Sequence, residues 1–566
     1  MKKNVLKKFA AAALAAATVM SSMSVMAFAD DTEAGTTAEK GSVTITKYMG
    51  ATGTGDTLSP EEYTGDAPTE EGYTLLQGVE FAYVEVGDRV QVDTAGEKSS
   101  QTEIQYNVTN EKFLTAIGIT TGTGNYTETE LNNAIKNKKT ETIAFVKKEA
   151  TDANKKSTAA KSGKAKFGDL PLHKLYIFAE TDATKAALAS DGTTKVNVTK
   201  VSVPFLVSLP FTGSDGTIVK DLKVYPKNST GEDSIDKKIV EGETEKLTTA
   251  ANIGDTVNYK VTYSVPVTEN GLESLVITDT MSKGLTFNES SDSVTVYNGD
   301  TEVKNYSVEK GVDSSTGEQI ITITFTPEYC KSLATDSTQK FTITYTATLN
   351  EKAVLGQTGN TNKVQLKYTN KGEEEKTISP DPGKDTKVFT YGIDLLKKGE
   401  GTDTVLKNVK FKLTDENGAA INVEKTSEGY YTRILTTSAT NPSNIVTTDD
   451  NGKIYIRGLK PGTYQLKETE TNAGYVLLKE PVKIEIAEDS TIPGKATATV
   501  GDKKVTMQAD QKNSGSDTAE VPLTVVNSKG FNLPATGGRG IALFTIAGIA
   551  IVAAAGSLLF MRKRSK

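Results

Sequence analysis

Period-two alternation dominates the chain. Val257, Tyr259, Val261, Tyr263 and Val265 alternate with polar residues, as do Ile321, Ile323 and Phe325, then Phe341, Ile343, Tyr345, Ala347 and Leu349. Successive side chains of a strand point to opposite faces, so this spacing predicts half-buried strands. Turn dipeptides such as Asn417-Gly418 and Asn451-Gly452 separate the runs. Helical spacing is scarce; residues 127–138 offer one candidate, opened by a capping box of Thr127 and Glu130. The pattern predicts an all-β fold of tandem immunoglobulin-like β-sandwich domains in series.

Two apolar stretches break the alternation. Lys2, Lys3, Lys7 and Lys8 precede an Ala-rich run that ends in Ala27-Phe28-Ala29, which reads as a secretory signal peptide cut after Ala29. Near the other end, residues 541–560 are apolar and are followed by Arg562, Lys563, Arg564 and Lys566. A helix of that length spans about 30 Å, enough for one transmembrane helix, and the basic tail keeps it from crossing further. Between these ends, residues 210–216 and the Pro-rich 379–383 read as linkers. The expected division is a signal peptide over 1–29, a first domain over 30–215, a middle domain over 216–390, a last domain over 391–530, and an anchoring segment over 531–566. Residues 151–166, rich in Lys, Ala, Ser and Thr, read as a mobile insertion in the first domain.

Charge excludes some functions. Setting aside the 9 basic residues of the two ends from a total of 65, residues 30–536 carry 56 basic and 72 acidic groups, a net charge of −16. Such a surface repels nucleic acid and anionic membrane. The lone Cys330 rules out an intramolecular disulfide and reads as a buried, inert thiol, although secretion permits disulfides. With His173 the only histidine, no His-rich metal site exists and no cofactor is implied. The run Asp449-Asp450-Asn451-Gly452 lacks calcium-loop spacing and reads as a hairpin turn. Some other device must stabilise these domains outside the cell.

Leu533-Pro534-Ala535-Thr536-Gly537, ahead of the apolar run and basic tail, resembles a sortase cell-wall sorting signal. The resemblance implies attack by a sortase thiol on the Thr536 carbonyl, release of Gly537 onward, and transfer of Thr536 to an amine. A second pentapeptide at 209–213 has no apolar span behind it and reads as a linker. Val224-Tyr225-Pro226-Lys227-Asn228 resembles the pilin motif of sortase-assembled major pilins, whose lysine receives the threonine of the next subunit; that family often has Trp where this chain has Ile218. Alternation puts Lys227 on the face opposite Leu222 and Val224, so it is expected to point outward.

In the last domain, Tyr464-x-Leu466-x-Glu468-Thr469 and Gly474-Tyr475 resemble the E-box of pilin and collagen-adhesin B-type domains. In that family a Lys on the first strand bonds covalently to an Asn on the last, with the acid between them. Here Lys397 shares the inward parity of Ile393 and Leu395, and Asn527 that of Leu523 and Val525, while Lys398 falls outward. The middle domain repeats the arrangement with Lys237, Asp279 and Asn362. Desolvation favours a neutral amine and a neutral acid; the amine can then attack the Asn carbonyl, the acid (Glu468 or Asp279) moves the protons, and ammonia leaves. Folding supplies the proximity. The plain alternative is a buried ion pair capped by an amide. In the first domain, Lys47 and the degenerate box of Tyr176, Phe178 and Glu180 lack an Asn in the closing segment 201–205, which leaves Asn197 as the candidate.

Together these resemblances imply the shaft subunit of a covalent pilus on a Gram-positive surface. It is a structural protein rather than an enzyme, a sortase substrate crosslinked by single turnovers. Expected partners are pilin-class and housekeeping sortases, neighbouring copies, peptidoglycan, minor pilins and a host ligand. Expected localisation is secreted and wall-anchored, with a membrane-held precursor. A monomeric wall-anchored adhesin, a minor tip or base pilin, and a surface enzyme are the alternatives. In the polymer, tension is expected to run from Lys227 to Lys237, across to Asn362, on to Lys397, across to Asn527 and out at Thr536, with the first domain off the path.

Overall fold

The computed structural model describes residues 39–50, 74–93, 102–212, 217–290, 293–401, 404–434, 443–511, 517–530 and 549–552. The Ala29 cleavage site, the pentapeptide 533–537 and most of the run 541–560 lie outside them. Among the described residues no helix is long and apolar enough to cross a membrane.

β-Sandwiches in series make up the described chain, as the alternation predicts. In the first, Val43 and Ile45 of strand Lys40–Thr46 and Phe167 of strand Lys164–Pro171 face Phe81 and Phe178 of a six-stranded sheet across one core. A second core forms where Ala82, Val86, Leu175 and Ile177 of that sheet meet helices Glu111–Ala116, Glu128–Asn137 and Lys139–Glu149. The predicted capping box is present: Thr127 Oγ1 accepts from Glu130 N, and Glu130 Oε2 accepts from Thr127 N. Helix Lys139–Glu149 escapes the pattern reading because its buried set is only Thr142, Phe145 and Val146.

Four expectations need correction. Strand Asp221–Val224 pairs in parallel with Lys40–Thr46, and Lys227–Gly231 pairs with Tyr48–Met49. Residues on both sides of the expected 215/216 boundary thus share sheets, because Leu222 and Val224 bury against the first core. The linker reading of 209–213 fails likewise: Leu209 is buried in that core and Phe211–Thr212 pairs with Ile218–Val219. Residues 151–166 form a short 3-10 turn and strands rather than a mobile insertion, with Thr158 Oγ1 accepting from Val79 N. The stretch 379–383 joins strands Lys376–Ile378 and Thr386–Phe389, both paired to Asn360–Asn370, and so is a loop within the middle sandwich.

The middle sandwich has two seven-stranded sheets. One carries Ser234–Glu241, Thr256–Val267 and Ser337–Leu349; the other carries Leu272–Met281, Gln319–Phe325 and Asn360–Asn370. All three alternating apolar runs of the sequence are buried between them. Cys330 lies in this core, its thiol pushed up to about 11 by burial, as expected of an inert cysteine.

In the last sandwich, strand Tyr391–Gly399 lies parallel to Thr518–Asn527 in one six-stranded sheet, and Lys410–Asp415 and Gly462–Glu470 form the facing one. The Asp449–Gly452 segment is the expected turn, with Gly452 at φ 72°.

Two joints order the sandwiches. Lys139 reaches across to both Glu269 carboxylate oxygens at 3.0 and 2.8 Å, a charged contact between the first and middle units. Between the middle and last, Ile253 N donates to the Gly458 carbonyl, Lys460 N donates to Asn252 Oδ1, and Arg433 pairs with Asp255 at 2.8 Å. Gly458 has φ 79°, and a β-carbon there would lie 2.3 Å from Ile253 Cγ1. Gly458→Ala is therefore expected to cost at least about 2 kcal/mol, from left-handed backbone strain plus overpacking. Urea denaturation of the purified protein, with scattering to detect splaying of this joint, checks it.

Candidate functional sites

Each sandwich buries one lysine, one carboxylate and one asparagine together. In the last, Lys397 and Asn527 occupy neighbouring parallel strands near their C-terminal ends, and Glu468 comes from the facing sheet. All three side chains are buried. Lys397 Nζ donates to Asn527 Oδ1 and lies 3.3 Å from Glu468 Oε1. Asn527 Nδ2 donates to Glu468 Oε1 at 2.9 Å and Oε2 at 3.1 Å, and to Thr471 Oγ1 at 2.8 Å. Burial pulls the Lys397 ammonium down from its usual range, against the opposing charge of Glu468. Lys398 is half-buried on the other face, as the parity predicts.

The middle triplet is built across the two sheets. Lys237 projects from one sheet and Asp279 and Asn362 from the other, where Met281 pairs with Asn362. Lys237 Nζ is 2.5 Å from Asp279 Oδ2 and stands over the rings of Tyr259 and Tyr345 at 5.2 and 5.4 Å. Burial lowers the Lys237 ammonium to about 8 and raises the Asp279 carboxyl, each shift opposed by the partner's charge. Tyr345 enters the cluster as well: its hydroxyl donates to Asp279 Oδ2 at 2.6 Å and accepts from Asn362 Nδ2 at 3.0 Å. The alternation marks Tyr345 as core and gives no sign of that second role.

The first sandwich holds a triplet that the sequence reading missed. Lys47 Nζ lies 2.7 Å from Glu180 Oε2, as the degenerate box suggests. The asparagine is Asn228, whose Nδ2 donates to Glu180 Oε1 at 2.5 Å. Asn197 instead accepts from Lys376 at 3.0 Å and takes no part. Ser202 holds the acid with two bonds, from N at 3.1 Å and from Oγ at 2.7 Å. Burial lowers the Lys47 ammonium, opposed by Glu180. The signal was available: Asn228 shares the parity of Leu222 and Val224. The linker-like composition of 210–216 hides it by placing Asn228 in the next domain.

Lys227 stands next to that asparagine, and here the outward expectation is corrected. The side chain is only 8% exposed. Its register partner is Tyr48, whose ring lies 6.2 Å from that of Tyr225; parallel partners present side chains to one face, so aromatic groups occupy the face on which Lys227 stands. Among the described residues no group of three or more His, Cys, Asp and Glu has metal-binding geometry.

Comparison with known proteins decides the family. Residues 38–229 match a Gram-positive pilin subunit D1 N-terminal domain, 253–372 a Gram-positive pilin backbone subunit 2 Cna-B-like domain, 392–500 a prealbumin-like fold domain, and 525–566 an LPXTG cell wall anchor motif. The chain belongs to the Gram-positive backbone pilins. A pilin with this anchor is a cell-wall-anchored protein of the extracellular surface. The trypsin-resistant surface T6 protein of Streptococcus pyogenes serotype M6 is 25% identical over 347 residues, 56% of this pilin and 58% of the relative's length. Among solved structures, the major pilin SpaD of Corynebacterium diphtheriae is 19% identical with a TM-score of 0.48, covering 87% of this pilin and 98% of that chain. The RrgB pilus protein of Streptococcus pneumoniae is 18% identical with a TM-score of 0.48, covering 88% and 99%.

The titration of Lys237 has a sign that can be worked out. With Asn362→Ala the triplet keeps its amine but has no amide to capture. The folded amine titrates near 8 and the unfolded one near 10.5, so between those values the unfolded state binds more protons and stability rises with pH. Asp279, raised in the fold, contributes stability that is lost as pH climbs past 3.8. Urea midpoints of Asn362→Ala are expected to rise from pH 8 to 10.5 relative to the double variant with Lys237→Met.

Proposed function

We propose that this chain is the shaft subunit of a covalently polymerised pilus, stabilised inside each subunit by three lysine–asparagine isopeptide bonds. The bonds are Lys47–Asn228, Lys237–Asn362 and Lys397–Asn527, promoted by Glu180, Asp279 and Glu468. The observation that carries the reading is the recurrence of one chemical triplet in three separate cores. Leaving three lysines, three acids and three amides in apolar interiors merely as ion pairs has a desolvation cost that apolar residues of the same size avoid. Burial also lowers all three amines, favouring the nucleophilic form. Between subunits, sortase attacks the Thr536 carbonyl, and the Lys227 amine of the next copy takes up the acyl group. A housekeeping sortase transfers the last subunit to peptidoglycan, and minor pilins and a host ligand complete the assembly.

Intact-mass measurement of the unpolymerised protein is expected to fall below the sequence mass by one ammonia per bond, about 17 Da each and about 51 Da in all. Asn228→Ala leaves two of the three losses, and an unmodified mass overturns the intramolecular reading.

A second reading, a wall-anchored monomer, draws on the burial of Lys227. The shaft reading requires its amine to be uncovered when sortase delivers the acyl group. Denaturing gels of wall extracts separate the two. A high-mass ladder that collapses with Lys227→Ala is expected of the shaft, and one discrete band in the unsubstituted strain supports the monomer.

A further inference from the structure

We propose that Tyr345 is a catalytic residue of the middle-domain crosslinking reaction, its hydroxyl carrying a proton from Asp279 to the amide nitrogen that leaves Asn362. The inference rests on the reading that Lys237 and Asn362 condense, and it concerns how an aspartate does what a glutamate does elsewhere. In the last sandwich Glu468 touches the leaving nitrogen directly, with Asn527 Nδ2 donating to both carboxylate oxygens. In the first, Glu180 likewise accepts from Asn228 Nδ2. Aspartate is one methylene shorter: Asn362 is the weakest of the groups acting on the Asp279 carboxyl, and among the described residues Asp279 Oδ1 and Asn362 Oδ1 each lack a hydrogen-bond partner. The Tyr345 hydroxyl fills that gap, 2.6 Å from Asp279 Oδ2 and 3.0 Å from Asn362 Nδ2. Since Asp279 Oδ2 also accepts from Lys237 Nζ at 2.5 Å, four atoms form an unbroken chain: Nζ, Oδ2, the phenol oxygen and Nδ2.

The phenol is held for this task. Its ring stacks on Tyr259 at 5.4 Å and 18°, and Tyr345 pairs in the sheet with Tyr259 on one side and Val294 on the other. Burial raises the hydroxyl well above the ordinary tyrosine range, so it passes protons on rather than standing ionised.

The step balances. A bond forms between Lys237 Nζ and Asn362 Cγ, and the bond from Cγ to Nδ2 breaks. Asp279 starts as the neutral acid, and Nζ, cationic once it has added to Cγ, gives its surplus proton to Asp279 Oδ2 as that acid's own proton leaves through Tyr345. Nδ2, losing its conjugation as Cγ becomes tetrahedral, turns from donor to acceptor and takes the Tyr345 proton. Tyr345 is reprotonated from Asp279, ammonia departs, and both side chains end as they began.

The test uses the full chain, collected at intervals after synthesis and digested. The linked Lys237–Asn362 peptide is measured against the Lys397–Asn527 peptide of the same molecules. Tyr345→Phe is expected to slow the first link on the order of 10²-fold and leave the second unchanged. Adding Asp279→Glu, which restores the missing reach, is expected to recover most of the rate. Cys330, buried in the same core, stays closed to a thiol reagent while that core is folded. If Tyr345→Phe opens it, fluorotyrosine at 345 takes its place, keeping the hydroxyl and shifting its acidity. Equal rates for Phe or fluorotyrosine and the unsubstituted chain overturn the proposal, as does a slow Phe variant that Asp279→Glu fails to rescue. Absence of the Lys237–Asn362 peptide from the unsubstituted chain overturns the underlying reading instead.

Discussion

Taking an amine, a carboxyl and an amide out of water together is the constraint around which each sandwich is arranged. None of the three belongs in an apolar core alone, since an unpaired buried charge is strongly unfavourable. Together they satisfy one another, and the core that hides them removes the solvent that would otherwise keep the lysine protonated. The surrounding apolar side chains therefore act on the chemistry as well as on the fold. Ile393, Leu395, Leu523 and Val525 exclude water around Lys397, as Tyr259 and Tyr345 do around Lys237.

The triplet is assembled in two ways. In the end sandwiches, lysine and asparagine come from parallel neighbouring segments, and the glutamate reaches over from the facing sheet. In the middle one, the lysine crosses from one sheet to aspartate and asparagine on the other. The first geometry clamps the opening strand to the closing one, and the second clamps the two layers together. The choice of acid follows the geometry: the glutamates span a sandwich to the amide directly, whereas Asp279 shares the amide's sheet and meets it through Tyr345.

Much of this is legible in the sequence, for a physical reason. Strand parity is strict, so the alternation that hides Ile235 and Ile239 also hides Lys237, and the same holds for Asp279, Asn362, Lys397, Glu468 and Asn527. What stayed hidden depends on which strands pair, and parity says nothing about that. Asn228 has the right parity but reads as part of the next sandwich, because the polar stretch after Pro210 resembles a linker, while its first residues in fact pair back onto Ile218–Val219. Lys227 has the outward parity, but parity does not report that Tyr48 shares its face. The hydroxyl of Tyr345 needed a third dimension altogether.

The parallel register of the last sandwich has a consequence for how such a surface evolves. Lys397 pairs with Val525, and Gly399 with Asn527, so everything between returns to within one strand's width of where it departed. The described strands between them are a side excursion from this one strand pair. Lengthening a turn along that stretch, away from the joint made by Arg433, Gly458 and Lys460, adds bulk to the flank and leaves the strand pair that carries Lys397 and Asn527 untouched. Such loops can therefore drift in length and sequence while the strand pair that holds the triplet stays constant.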